Sequence, residues 1–299
     1  MNKWLLKNTT LFLVSLVLYQ GCSNPLEEEE AEIGDAPTTY TFASRFLDDT
    51  SSIKYTGQVV RNLLITDIKG QVGTDAGTGS DATLESMMAN DNADALIQVS
   101  TTPAAMQTKY HDISDSYLDD RLTASADITV YGYEKSAQTL IDEWIDEVVA
   151  LDADAGKTNA DGLRLDQMIQ KTLWGAVSYW QGTSKYMGAV STKDNSVSAD
   201  ETYGYTAMEH YWDESFGYFG AARDYNTGYA DDADRKTTPY NDSNNDGEID
   251  FKSEYCSGIS VNAAKRDVVT AGTDYDFTKT IFDAYVTGRH LITNTAAWE

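Results

Sequence analysis

The sequence predicts an all-α protein, a helical bundle with long loops, one of them a calcium-binding-type loop. Three observations lead there. Apolar residues recur at a 3.6-residue period along several stretches. Alternating apolar–polar runs are scarce, "DITVYGY" (127–133) being the one credible strand segment. And "NDSNNDGEIDFKSE" (241–254) sets side-chain oxygens at alternate positions ahead of a glycine.

The chain divides into three parts. Residues 1–21 read as a lipoprotein signal peptide, residues 22–39 as an acidic tether, and residues 40–299 as the helical domain. "MNKWLLKNTTLFLVSLVLYQGC" pairs a basic start (Lys3, Lys7) with an apolar run from Leu11 to Leu18, too short to span a membrane. Gly21 directly before Cys22 is how a bacterial lipoprotein signal ends, so Cys22 is the expected lipidated first residue. About two buried acyl chains give stable attachment, so the partner implied is a membrane of the bacterial cell envelope, the outer one first. An ordinary signal peptide with a chance cysteine is the competing reading, because Tyr19 and Gln20 depart from the usual pattern. The tether that follows carries Glu27 to Glu30 and two prolines, a composition that favours a solvated spacer.

The formal net charge is −26, and loss of residues 1–21, with two lysines and no acids, takes it to −28. Such a surface repels phosphate backbones, which excludes nucleic acid as a partner, and it suits cations. After Cys22 the only cysteine is Cys256, so no internal disulfide can brace the fold.

The helical stripes come in order. Gln58 to Val72 aligns Val60, Leu63, Leu64 and Ile68, and "GQVGTDAGTG" (70–79) is expected to break it as a flexible loop. Glu134 to Leu151 aligns Leu140, Ile141, Trp144, Ile145 and Val148. Leu165 to Trp180 is the strongest, with Ile169, Leu173, Ala176 and Val177. Further helices are expected at Thr206 to Phe219 and at Phe277 to Thr293.

Two motifs carry chemistry. Counting an EF-hand-type loop from Asp242 gives ligands Asp242, Asn244 and Asp246, then Gly247 for the turn, the Glu248 carbonyl, apolar Ile249 and Asp250. Position 12 is Ser253, with Glu254 one residue late, and no helix enters upstream, where Pro239 stands. The pattern predicts a solitary calcium site of high-micromolar to millimolar class, and a purely polar turn is the alternative. In "TAMEHYWDESFGYFG" (206–220), His210 and Glu214 fall one helical turn apart, with Asp213 beside them. They form a candidate transition-metal site, or a histidine bonded to a carboxylate within an aromatic core. No HExxH, GxSxG or phosphate-loop motif occurs, and Cys256 has no histidine near it in sequence.

The segment "AMEHYWDESFGYFG" (207–220) resembles the imelysin-like bacterial lipoproteins grouped as domain of unknown function 4856 (DUF4856). So do "TYTF" (39–42), "IKYTGQVVRNLL" (53–64), "LDQMIQKTLWGAVSYWQ" (165–181), "NDGEIDFKSEY" (245–255), "NAAKRD" (262–267) and "FDAYVTGRHLI" (282–292). The resemblance implies an envelope-anchored helical bundle of unsettled activity, with a further C-terminal part beyond residue 299. The wider imelysin superfamily is linked to iron acquisition and was once classed as peptidases; its signature is GxHxxE. Here Met208 stands at the glycine position, Asp213 at the glutamate position and Glu214 next to it. Three readings follow: a binding lipoprotein with a structural calcium loop, a metal-dependent hydrolase using His210, Asp213 and Glu214, and a purely structural surface protein.

Overall fold

The computed structural model describes residues 34–152, 155–226, 235, 237–267 and 275–295. The signal peptide, Cys22, most of the tether and residues 227–234 lie outside the described residues. The fold is mostly helical, with a single two-stranded ribbon among the described residues.

Helix α1 (Thr56–Asp75) lies at the centre and touches α2 (Ala82–Ala89), α4 (Ala137–Val149), α5 (Leu165–Leu173) and α6 (Ala207–Phe219). Its Leu63, Leu64, Ile65, Ile68 and Val72 are buried. The helix runs through Gly70 and Gly73, where the glycine-rich composition predicts a break. Two interior glycines cost about 2 kcal/mol against alanine. Burying Val72 returns about as much, and Gln71 Nε2 donates to Asp75 Oδ1 at 2.8 Å across the last turn. The bare face of Gly73 also admits Lys157, whose Nζ lies 2.7 Å from where a Cβ would stand.

Three helices of eight residues or fewer escape the periodicity: α2, α3 (Asp119–Thr123) and α7 (Gly258–Ala264). "DITVYGY" contributes only Thr129–Val130, paired antiparallel with Lys135–Ser136. Ser136 then caps α4, its hydroxyl accepting from the Thr139 amide at 3.2 Å.

The predicted helix from Leu165 is α-helical only to Leu173 and continues in wider π-helical turns at Trp174–Tyr179 and Gln181–Met187. An inserted partner accounts for part of this widening. The Ser215 hydroxyl of α6 donates to the Gly182 carbonyl at 2.8 Å.

Two buried clusters result. The larger gathers the apolar faces of α1, α2, α4 and α5. The smaller is aromatic: Tyr40, Phe42, Tyr55, Phe216, Phe219, Tyr225 and Phe282 pack between the N-terminal segment, α6 and α8 (Phe277–Asn294). Glycines set the closest approaches. A Cβ on Gly217 would meet Tyr55 Cβ at 2.7 Å, and one on Gly288 would overlap the Trp212 ring. No described helix is long and apolar enough to cross a membrane.

Candidate functional site

Helix α6 starts where the sequence says it should. Thr206 Oγ1 accepts from the Glu209 amide at 3.2 Å, and Glu209 Oε2 accepts from the Thr206 amide at 2.8 Å, a reciprocal cap. Gly220, at φ 75°, ends the helix in the left-handed conformation. This register turns Glu209 and Asp213 to one side and His210 and Glu214 to the next.

Glu209 and Asp213 are both fully buried, and one guanidinium lies between them. Arg289 of α8, itself 0% exposed, places Nη1 3.0 Å from Glu209 Oε1 and Nε 2.9 Å from Asp213 Oδ1. Its Nη2 donates to Ser52 Oγ at 2.8 Å, and its plane lies 5.0 Å from the Phe42 ring centre. Tyr40 donates its hydroxyl to Asp213 Oδ1 at 2.6 Å, while Arg45 donates to Glu209 Oε1 at 3.1 Å. Burial raises the Asp213 carboxyl above the ordinary range, against the opposing pull of Arg289. Burial and the Asp213 charge together push the Tyr40 hydroxyl well up. Asp213 is therefore committed to an ion-paired interior network, where two cations neutralise two acids.

His210 and Glu214 are brought together, but apart from Asp213. His210 Nε2 lies 3.7 Å from Glu214 Oε1, too far for a hydrogen bond. The imidazole stacks on Tyr205, with ring centres 4.3 Å apart and planes at 10°, and its Nδ1 has no partner among the described residues. Glu214 accepts from Gln58 Nε2 at 2.9 Å. Among the described residues no three His, Cys, Asp or Glu side chains gather as a group able to hold a metal ion.

Sequence reading pairs Glu209 with Asp213 by spacing alone and misses Tyr40 and Arg289. Glu209 had a signal, since "TAME" is a capping-box pattern. Arg289 had none, because it joins Asp213 across 76 residues of chain.

The 241–254 loop is ordered by its own oxygens. Asp242 accepts the Asp246 amide on Oδ1 at 3.2 Å and the Gly247 amide on Oδ2 at 3.0 Å. Asn244 Oδ1 accepts the Asp246 amide at 2.9 Å, and Asp246 Oδ1 accepts the Glu248 amide at 2.9 Å. Gly247 stands at φ 90°, the turn that a side chain would strain. Ile249 is buried and exchanges backbone bonds with the 104–106 strand-like segment, donating to Ala104 and accepting from Met106, each at 3.0 Å. Asp250 accepts from Gln107 Nε2 at 2.9 Å and Ser253 Oγ at 3.0 Å. Glu254 is buried and closes the loop. Its Oε1 takes the Ser243 amide and hydroxyl at 3.0 and 2.8 Å, and its Oε2 takes the Asp250 amide at 2.9 Å. Asp242, Asn244 and Asp246 thus turn toward one short run of backbone, whose amides they accept.

Cys256 is buried, and burial pushes its thiol up to about 11 despite Arg235 Nη1 at 3.6 Å. A thiol so held is not a nucleophile near neutral pH.

The family model described as Domain of unknown function (DUF4856) matches residues 37–297. No curated protein and no solved structure matches the chain.

Proposed function

The chain thus belongs to the DUF4856 family, and from that premise we propose that it is a lipid-anchored binding protein of the bacterial envelope whose 241–254 loop takes a structural calcium ion. The observation that carries the calcium reading is the loop itself. Asp242, Asn244 and Asp246 bond to the same 246–248 backbone, Gly247 makes the turn, and Ile249 pins the far side to the core. Calcium would sit among Asp242, Asn244, Asp246 and the Glu248 carbonyl, with Asp250 reaching it directly or through water. Glu254, being spent on loop amides, orders the loop rather than supplying the bidentate ligand. The ion would offset repulsion among these acids and the entropy of ordering the connection.

Melting with millimolar calcium and with EDTA tests this. Calcium is expected to raise the midpoint, and Asp242→Ala to abolish the rise; equal midpoints in both buffers would remove the site. The imelysin-like description and the anchor at Cys22 belong to the same proposal, and loss of acyl labelling in Cys22→Ser checks the anchor.

A second reading, a transition metal such as iron at His210 and Glu214 with hydrolytic use, is favoured by the half-exposed imidazole and its unpartnered Nδ1. Asp213, the third residue of that set, supports the binding role instead, because Arg289 and Tyr40 already hold it. Metal analysis of protein purified from its native membrane separates the two. Iron or zinc favours the second reading, and calcium alone favours the first.

A further inference from the structure

We propose that the recess between the N-terminal end of α1 and the 250–252 turn binds a small oxyanion, the carboxylate or phosphate group of a small molecule. The cavity measures about 280 Å³ and is walled by Arg223, Lys54, Lys252, Tyr203, Thr56 and Asp250. The inference rests on the binding reading above and names the chemistry of its ligand.

Arg223 carries the argument. Its Nε donates to the Tyr55 hydroxyl at 3.1 Å, and the guanidinium lies 5.6 Å from the Tyr55 ring centre. Its Nη1 and Nη2 make no hydrogen bond or ion pair among the described residues, so four of its five N–H donors lack a protein acceptor. The residue is nevertheless fixed in place. Its amide donates to the Ser253 carbonyl at 2.8 Å and its carbonyl accepts from the Tyr40 amide at 2.7 Å. A guanidinium held this way presents a planar fork that matches a carboxylate or phosphate edge, with little ordering left for the ligand to impose.

The other charges of the wall add to it. Lys54 and Lys252 each lie 3.9 Å from an acid, Asp200 and Asp250 respectively, contacts too long to occupy the ammonium donors. Asp250 is the one acid on the wall, and its oxygens already accept from Gln107, Ser253 and the Lys252 amide. Thr56 opens α1, which has no side-chain cap and no acidic residue in its first turn, so the positive end of that helix adds to the same wall. Tyr203, under the Lys54 ammonium at 5.1 Å, supplies an aromatic face for the ligand's carbon frame.

Three cations against two acids, Asp250 on the wall and Asp200 beside Lys54, is the reverse of the whole chain, with 48 acidic and 22 basic residues. The local excess decides, because the Debye length is about 8 Å at physiological salt and the distant acids are screened. The volume falls just below the usual small-molecule range of about 300–1,000 Å³, which points to a ligand of monosaccharide size or less.

Calorimetric titration of the purified chain with glucuronate, and separately with inorganic phosphate, tests the assignment. Saturable binding that weakens with added salt is expected. Glucuronate alone, phosphate alone or both would each support the site and identify the source of the oxyanion. Arg223→Gln should weaken binding by about ten- to a hundredfold, the loss of charge-assisted hydrogen bonds. Lys54→Ala, at a half-exposed side chain, should weaken it by a smaller factor and flatten the salt dependence while the melting midpoint stays put. If Arg223→Gln fails to fold, Lys54→Ala decides alone, and unchanged affinity there overturns the proposal. Lack of saturation by either probe, in calcium and in EDTA alike, overturns it too. The calcium melts, by contrast, speak only to the loop.

Discussion

Helix α6 carries two carboxylate-bearing pairs at the same i, i+4 spacing, and they live in opposite environments. Glu209 and Asp213 are sealed from water with Arg289 and Arg45 between and beside them. His210 and Glu214, one residue further round, are partly buried, 3.7 Å apart and, among the described residues, without a shared cation. The spacing that suggests a metal site is common to both pairs. What separates them is a partner on a distant helix. A buried charge must find its counter-ion wherever the fold brings one, whereas a surface pair has water to fall back on.

The sharpest way to break this contrast is Arg289→Ala. It leaves two buried carboxylates with one remaining cation and should destabilise by about 3–5 kcal/mol, read as a lowered midpoint in urea or heat. Adding Asp213→Asn to that variant should recover part of the loss, because the stranded charge is gone.

A third buried carboxylate sharpens the comparison. Among the described residues Asp67 pairs with no cation; it accepts from the Tyr110 hydroxyl at 2.6 Å and the Gln98 amide at 3.0 Å, with the Val99 amide also directed at it. Burial raises it to about 6. The folded state therefore holds this proton more tightly than the unfolded chain, whose aspartates titrate near 3.9. The stabilisation from Asp67 is complete below about pH 4 and is lost as pH rises through about 6, on the order of 3 kcal/mol. Asp67→Asn should flatten that slope in melts taken across the same window.

Gly288→Ala probes the seat of α8 against Trp212 without touching a charge. Overlap with the indole should cost about 1–3 kcal/mol, measured as a lower melting midpoint with the ion pairs intact. The smallest effect is expected at the partly buried His210–Glu214 pair. His210→Ala or Glu214→Gln should change stability by less than about 1 kcal/mol in the same assay. A larger loss would mean the pair is structural in the way Glu209 and Asp213 are.

How much of this the sequence disclosed follows from the range of each interaction. The stripes of α4, α5 and α6 are local, so they read directly from Leu140 to Val148 and from Leu165 to Leu173. The turn chemistry of 242–250 is local too, and the alternation of Asp242, Asn244 and Asp246 anticipates the bonds they make. Gly70 misleads because propensity is a weak prior that the burial of Val72 outweighs. The π-helical turns after Leu173 bury Val177 and Tyr186 but leave Tyr179 exposed, and Ser215, more than thirty residues on, accounts for part of their geometry. The pairing of Asp213 with Arg289 lay beyond reach for the same reason: no periodicity links residues 76 apart.

That separation also bears on how the chain must fold. Arg289 bonds to Ser52 across 237 residues, as well as to Asp213 and Thr293. Until α8 arrives, the smaller aromatic cluster lacks Phe282 and Val286, and two acids destined for the interior are short of their cation. Helices α1 to α5 are all present once Leu173 has emerged and can gather then, but the half built on α6 must wait for the 76 residues from Asp213 to Arg289. A ribosome releasing the protein from its N-terminus would therefore pass residue 289 before this half could close. A helper that binds exposed aromatic segments would find its target in that interval, on the face of α6 that the finished molecule hides.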